Sequence, residues 1–146
     1  MNDIEKVYRY GAYQDRTEYE IRIKAKALGI VGERLEQLIE QLKEESFIDD
    51  VRFAQNYVRS KLNHGRWGVI KIKSGLFAKG VNPNIIDEVV ETIDEEYYYQ
   101  NMRHEMDKWM QSKPQTEENR DKLIRFLLGK GYQYGEIIKM LNRDGD

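Results

Sequence analysis

A chain of 146 residues, 34% of them charged and with a net charge of −2, has room for one ordinary domain or for a few small repeats that share buried faces. It has no cysteine, so disulfide frameworks and thiolate metal sites are excluded, in agreement with a reducing compartment. No apolar run approaches the roughly 20 residues needed to cross a bilayer, and the opening Met1-Asn2-Asp3-Ile4-Glu5 lacks a signal-peptide core, so a cytoplasmic, membrane-free monomer is expected.

Residues 1–15, with Tyr8, Tyr10 and Tyr13, read as either a short helix or an arm. Thr17 and Glu20 then have the spacing of a capping box, and Ile21, Ala25 and Leu28 recur at helical intervals until Gly29 stops the helix. Leu35, Leu38, Ile39 and Leu42 mark a second helix. Asp49 is a good N-cap for a third, with Asp50 favourable in its first turn and Ile48 and Phe53 at the offset of a hydrophobic staple. Ala54, Val58 and Leu62 carry its apolar stripe as far as Gly65.

The plan then recurs. A helix from about Trp67 or Gly68 to Lys79 is followed by one capped by Asn82 with Pro83 in its first turn. A third, holding Tyr97 to Trp109, ends before Ser112-Lys113-Pro114, the best linker candidate. Thr116 opens a last pair of helices reaching Leu141. Val69-Ile70-Lys71-Ile72 is rich in β-branched residues but shares the register of the first repeat's opening helix, which predicts helix.

Gly29, Gly80 and Gly131 stand 51 residues apart and close one apolar pattern. Ala25, Leu76 and Leu127 lie four residues before them, and Ile30, Val81 and Tyr132 one after. Self-similarity at a long fixed period marks a tandem repeat, and a repeat favours an extended binding surface over a catalytic pocket. The expected fold is therefore all-α, elongated or curved, built from tandem three-helix repeats. The expected divisions are 1–15, 16–64, 65–112 and 113–146, with the third repeat truncated to two helices.

Catalytic chemistry finds no support in the residues. His64 and His104 have no partner at metal-ligand spacing, and Asp49-Asp50 reads as a helix start rather than a metal pair. Gly65-Arg66-Trp67-Gly68 lacks the spacing of a phosphate loop, and Ser46, Ser60, Ser74 and Ser112 lack a nucleophile context. No cofactor is expected.

Charge is more informative. Val51 to Ile86 contains no acid, while Arg52, Arg59, Lys61, Arg66, Lys71, Lys73 and Lys79 give +7; Asp87 to Asp107 carries −7. Such an asymmetry creates a local field invisible in the net charge. The basic stretch is read as a partner-binding surface, with Arg52, Arg59, Arg66, Lys71 and Lys73 expected on one face. The alternative is internal pairing with the acidic segment, Glu88, Glu91 and Glu95 above all. Tyr57 and Trp67 are candidate contacts by stacking or anchoring. Phe77 adjoins the core position Leu76, which gives it a buried reading as well.

The motifs resemble those of the RecX regulatory proteins of bacteria. Arg16-Thr17-Glu18-Tyr19-Glu20-Ile21 resembles that family's Arg-Ser-x-x-Glu-Leu opening, and Phe47-Ile48-Asp49-Asp50-Val51-Arg52-Phe53-Ala54 its most specific block. Gly65-Arg66-Trp67-Gly68, Leu76-x-x-Lys79-Gly80-Val81 and Leu127-x-x-Lys130-Gly131-Tyr132 match the later repeats. Ala25 departs from the usual Leu. The resemblance implies tandem three-helix repeats and a non-enzymatic modulator that lies in the groove of the RecA–DNA filament. Its expected effect is to suppress ATP hydrolysis, strand exchange and co-protease activity. The alternative is a helical module that binds single- or double-stranded DNA without a recombinase.

Overall fold

The computed structural model describes residues 1–144, and those residues form nine α-helices and no strand. Helices α1 (Asp3–Tyr13), α2 (Glu18–Ala27) and α3 (Gly32–Glu44) come first. Helix α4 (Asp50–Ser60) runs on through one π-helical turn, Lys61–Gly65. Helices α5 (Val69–Ala78), α6 (Pro83–Glu91), α7 (Glu95–Met110), α8 (Glu117–Gly129) and α9 (Tyr134–Asp144) complete the chain. The first fifteen residues are thus mainly helical, and the β-branched 69–72 stretch is helix, as its register requires.

Side chains cap most of these helices. The capping box of Thr17 and Glu20 is complete. Asp49 accepts from the N–H of Arg52, Asn82 from Asn84, Asp94 from Tyr97 and Thr116 from Asn119. Each bond satisfies a donor that the helix itself leaves without a partner.

The three register glycines end α2, α5 and α8 in the same way. Each adopts positive φ, +84° at Gly29, +79° at Gly80 and +101° at Gly131. The next residue then donates back to the carbonyl five positions earlier: Ile30 to Ala25 at 2.9 Å, Val81 to Leu76 at 3.2 Å and Tyr132 to Leu127 at 3.1 Å. This is the Schellman closure, repeated three times, with all six of those residues buried. The turn folds the residue after the glycine back over the helix and into the core.

Two hydrophobic cores result. The first holds Val7 of α1, Ile21 and Ala25 of α2, Leu35, Leu38, Ile39 and Leu42 of α3, and Ile48. The second runs continuously through α4 to α9. Val7 adds apolar volume to the core that Ala25, in place of a leucine, leaves thin. Ile48 and Phe53 belong to different cores, so the expected staple does not join them. Helix α4 packs on α5 and α6, and α7 on α8. Counted from residue 16, the last unit has two helices; counted by packing, the helices fall into the triplets α1–α3, α4–α6 and α7–α9. A sequence period establishes which residues are equivalent but not which neighbour a helix chooses.

Successive triplets meet through equivalent seams. The Thr17 hydroxyl donates to the carbonyl of Lys79 at 2.6 Å, and the Gly68 N–H donates to that of Lys130 at 2.7 Å. A Cβ on Gly80 would lie 2.3 Å from the Cβ of Tyr19, and one on Gly131 2.5 Å from that of Lys71. At Gly29, which begins the series, a Cβ would meet nothing within 4 Å.

Candidate partner-binding surface

The acid-free segment folds into α4, its π-helical turn, α5 and the start of α6. The buried Phe53, Ala54, Val58 and Leu62 hold α4 against the second core and leave Arg52 and Arg59 in solvent. The π-helical turn adds a residue to the last turn of the helix, and Arg66 follows in the left-handed region at φ 48°. That reversal lays the Trp67 indole over Gly65, where a Cβ would sit 2.7 Å from the ring.

Three aromatic rings come together here. Phe53 and Tyr57 stack with centroids 6.1 Å apart, and Tyr57 meets Trp67 edge-on at 6.3 Å. Lys61 Nζ lies 4.5 Å from the Trp67 centroid and 5.2 Å from that of Tyr57. Lys71 Nζ reaches the Trp67 ring at 4.2 Å, and Lys79 Nζ stands 6.0 Å from that of Phe53. These are cation–π distances, each worth about 0.5–1 kcal/mol when exposed. Tyr57 fits because α5 offers Gly75, whose missing Cβ would otherwise lie 2.0 Å from the phenol oxygen. Burial raises the Tyr57 pKa, so the hydroxyl stays protonated.

The rest of the basic segment is divided by the partners its cations take. Arg52 donates to the Ser46 carbonyl at 2.9 Å and Arg59 to Asn56 at 3.0 Å, both on the exposed side of α4. Arg66 turns towards the buried Glu105 at 3.8 Å, which Lys130 also approaches at 3.7 Å. Lys73 faces Asp87 at 3.4 Å, and Lys79 also pairs with Glu20 at 3.6 Å. The single surface of Arg52, Arg59, Arg66, Lys71 and Lys73 therefore divides. Lys61, Lys71 and Lys79 gather on the aromatic row, Arg52 and Arg59 have no carboxylate partner among the described residues, and Arg66 and Lys73 are spent on internal pairs. The acids that neutralise them are Glu105 and Asp87, not Glu88, Glu91 or Glu95. Phe77 is exposed, because it stands opposite the buried Leu76 face of α5.

Several supporting residues carry no signal in charge or motif. The connection 61–69 is bonded to the following triplet: Asn101 donates to the Leu62 carbonyl at 3.0 Å, Tyr97 to Asn63 at 2.6 Å and Tyr132 to the Arg66 carbonyl at 2.6 Å. Lys130 Nζ donates to the Gly65 carbonyl, and the Tyr98 hydroxyl accepts the N–H of Val69 at 2.9 Å, supplying the cap that Gly68 cannot. Tyr132 could have been noticed, since it puts a hydroxyl where Ile30 and Val81 are wholly apolar. Asp50 likewise does more than favour a helix start: it accepts the N–H of Glu18 at 3.0 Å, linking α4 to α2, and burial raises its pKa.

Among the described residues no group of three or more His, Asp or Glu side chains could hold a metal ion, and His64 is exposed. No helix among them is long and apolar enough to cross a membrane. The arrangement offers the half-buried Tyr57 and Trp67 rings, backed by the buried Phe53 and flanked by lysines, on a backbone bonded to the following triplet, which is equipment for binding.

Comparison with known proteins places the chain beside one family. Residues 49–90, from the N-cap of α4 into α6, match the family profile described as RecX, second three-helix domain. Regulatory protein RecX of Clostridium acetobutylicum is 35% identical over 132 residues, covering 86% of this chain and 61% of that protein. Its counterpart in Clostridium tetani is 33% identical over 132 residues, covering 88% and 60%. The chain thus spans about 60% of the length of these curated relatives. The crystal structure of RecX from Lactobacillus salivarius superposes with a TM-score of 0.85 at 26% identity, covering 97% of this chain and 96% of that one.

Proposed function

Because the chain belongs to the RecX family of regulatory proteins, we propose that it binds the RecA recombinase filament and inhibits its ATPase, strand-exchange and co-protease activities. It does so in the cytoplasm, as a monomer, without catalysis of its own, and thereby modulates recombination and DNA repair. Its structural units are the triplets α1–α3, α4–α6 and α7–α9.

The observation that carries this reading is the aromatic row Phe53–Tyr57–Trp67 with Lys61, Lys71 and Lys79 over its rings. Arg52 and Arg59 extend the positive field along α4. A filament groove with carboxylates and apolar pockets complements such a surface, and steering by rim charges raises the association rate more than it lowers dissociation. The experiment is association with RecA assembled on single-stranded DNA, comparing the wild type with Lys61→Glu/Lys71→Glu. Slower association by the variant at unchanged helicity is expected; equal rates would remove the row from the mechanism.

The second reading, a helical module that binds single- or double-stranded DNA alone, has one specific observation in its favour. Trp67 between Lys61 and Lys71 is an arrangement on which a base could stack. Binding of this kind would weaken steeply with salt in the absence of RecA, through counterion release.

A further inference from the structure

The first helices of the three register repeats, α2, α5 and α8, expose a second feature. Positions 19, 23 and 26 of α2 correspond to 70, 74 and 77 of α5 and to 121, 125 and 128 of α8. At 100° per residue they lie on one helix face, opposite Ile21 and Ala25 and their equivalents. All nine are exposed. A solvated helix face should be polar, yet five of the nine are large and apolar: Tyr19 (50% exposed), Ile23 (51%), Ile70 (51%), Phe77 (68%) and Leu128 (41%). Single exposed apolar groups are ordinary. Five of nine on one face of three equivalent helices are not.

The seams join these faces into a series. The start of α2 abuts the end of α5 through Thr17 and Lys79, and the start of α5 abuts the end of α8 through Gly68 and Lys130. Tyr19 stands beside Gly80, one turn beyond Phe77; Ile70 donates its N–H to the Gly131 carbonyl at 3.0 Å, one turn beyond Leu128. Lys26 and Arg125 lie within the row itself against one acid, Asp121, and α5, with no acid of its own, contributes Lys71 and Lys73, the second of them paired with Asp87. Glu20, the acid of α2 within the span 19–28, is engaged by Lys79. The row is therefore mostly apolar, and its charged members, Lys26 and Arg125 against Asp121, leave it net positive.

We propose that this row is a docking surface for a protein polymer that offers apolar sockets rimmed by carboxylates, repeated along its length so that α2, α5 and α8 engage in series. The inference rests on the filament-binding reading above and names a contact surface on α2, α5 and α8 that adjoins the aromatic row at Lys71. Charge complementarity selects the occupant. A second copy of the chain placed face to face would oppose like charges, and the aliphatic Ile23, Ile70 and Leu128 have no ring with which to stack on bases. Repeated modest contacts combine as linked sites do, so each socket can be weak while the whole is tight.

The test uses the full chain and RecA filaments on single-stranded DNA. A photo-crosslinking side chain at position 77 should trap a RecA subunit. Ile70→Ser/Phe77→Ser should weaken co-sedimentation by about tenfold or more while melting midpoint and helicity stay at wild-type values, since both side chains are solvent-facing. Unchanged co-sedimentation by the double variant, with the wild type binding well, would overturn the docking row and leave the functional reading standing. Failure of the wild type to bind filaments at all would overturn both. Wild-type binding to anionic lipid vesicles that the double variant loses, or self-association that it abolishes, with filament binding unaffected, would reassign the row and refute the proposal.

Discussion

The hydroxyl of Thr17 donates to the carbonyl of Lys79, 62 residues away, while its oxygen accepts the N–H of Glu20 at 3.1 Å. One buried side chain thus caps the start of α2 and satisfies a carbonyl left free at the end of α5. At the next seam the same carbonyl position, Lys130, is met by the N–H of Gly68. The seam chemistry is conserved in geometry while its donor changes from side chain to backbone.

Thr17→Val should therefore cost about 2–3 kcal/mol, because it removes a cap and strands a part-buried carbonyl together. Thr17→Ser should recover most of the loss. Urea unfolding midpoints check this, and equal stability of the valine variant would show that water replaces both bonds.

The three glycines should differ when each is replaced by alanine. All three pay for a left-handed residue, about 1–2 kcal/mol. Gly29→Ala should cost no more than that, since its Cβ meets open space, whereas Gly80→Ala and Gly131→Ala also force apart the Tyr19 and Lys71 seams. The ordering is measured by denaturant titration of the three variants side by side.

Much of this was legible beforehand because the register constrains it. Ala25, Leu76 and Leu127 are core in every repeat, and a glycine after a periodic apolar run has few other uses. The caps at Thr17, Asp49, Asn82 and Thr116 were equally plain. The partnership of α4 was not, since Ala54, Val58 and Leu62 form an apolar stripe that fits either neighbour. Nor were the pairs Arg66–Glu105 and Lys73–Asp87, because a charge run reports composition and not which cations a distant helix will claim. The aromatic row needed Gly75 and Gly65 in three dimensions before Tyr57 and Trp67 could be seen to meet.

Asp49 and Asp50 separate two kinds of structural role. Asp49→Ala should lower stability by about 1 kcal/mol through loss of the α4 cap, with filament binding reduced no more than that loss explains. Asp50→Ala should act instead on the contact between α4 and α2, leaving the Glu18 N–H without its partner. Amide exchange distinguishes them: faster exchange at Arg52 in the first variant, at Glu18 in the second.

Glu18 gives the pH dependence. Burial works to raise its pKa, but hydrogen bonds and attraction from Lys43 and Arg22 outweigh it and hold the carboxyl below its ordinary value. A folded pKa below the unfolded one contributes stability that is full above the ordinary glutamate value, about 4.3, and is lost as pH falls through the folded value. Glu18→Gln should therefore be less stable than the wild type at pH 7, with the gap closing in acid. A constant gap from pH 7 to pH 3 would place the effect elsewhere.

The most direct measurement is the ATPase rate of a cognate RecA on single-stranded DNA as this protein is added, on preformed and on growing filaments. The rate should fall with added wild type. It should fall much less with Arg52→Glu/Arg59→Glu/Lys61→Glu, which keeps its helices but loses the positive field along α4. An ATPase rate that stays constant at every concentration of the wild-type protein would contradict the account.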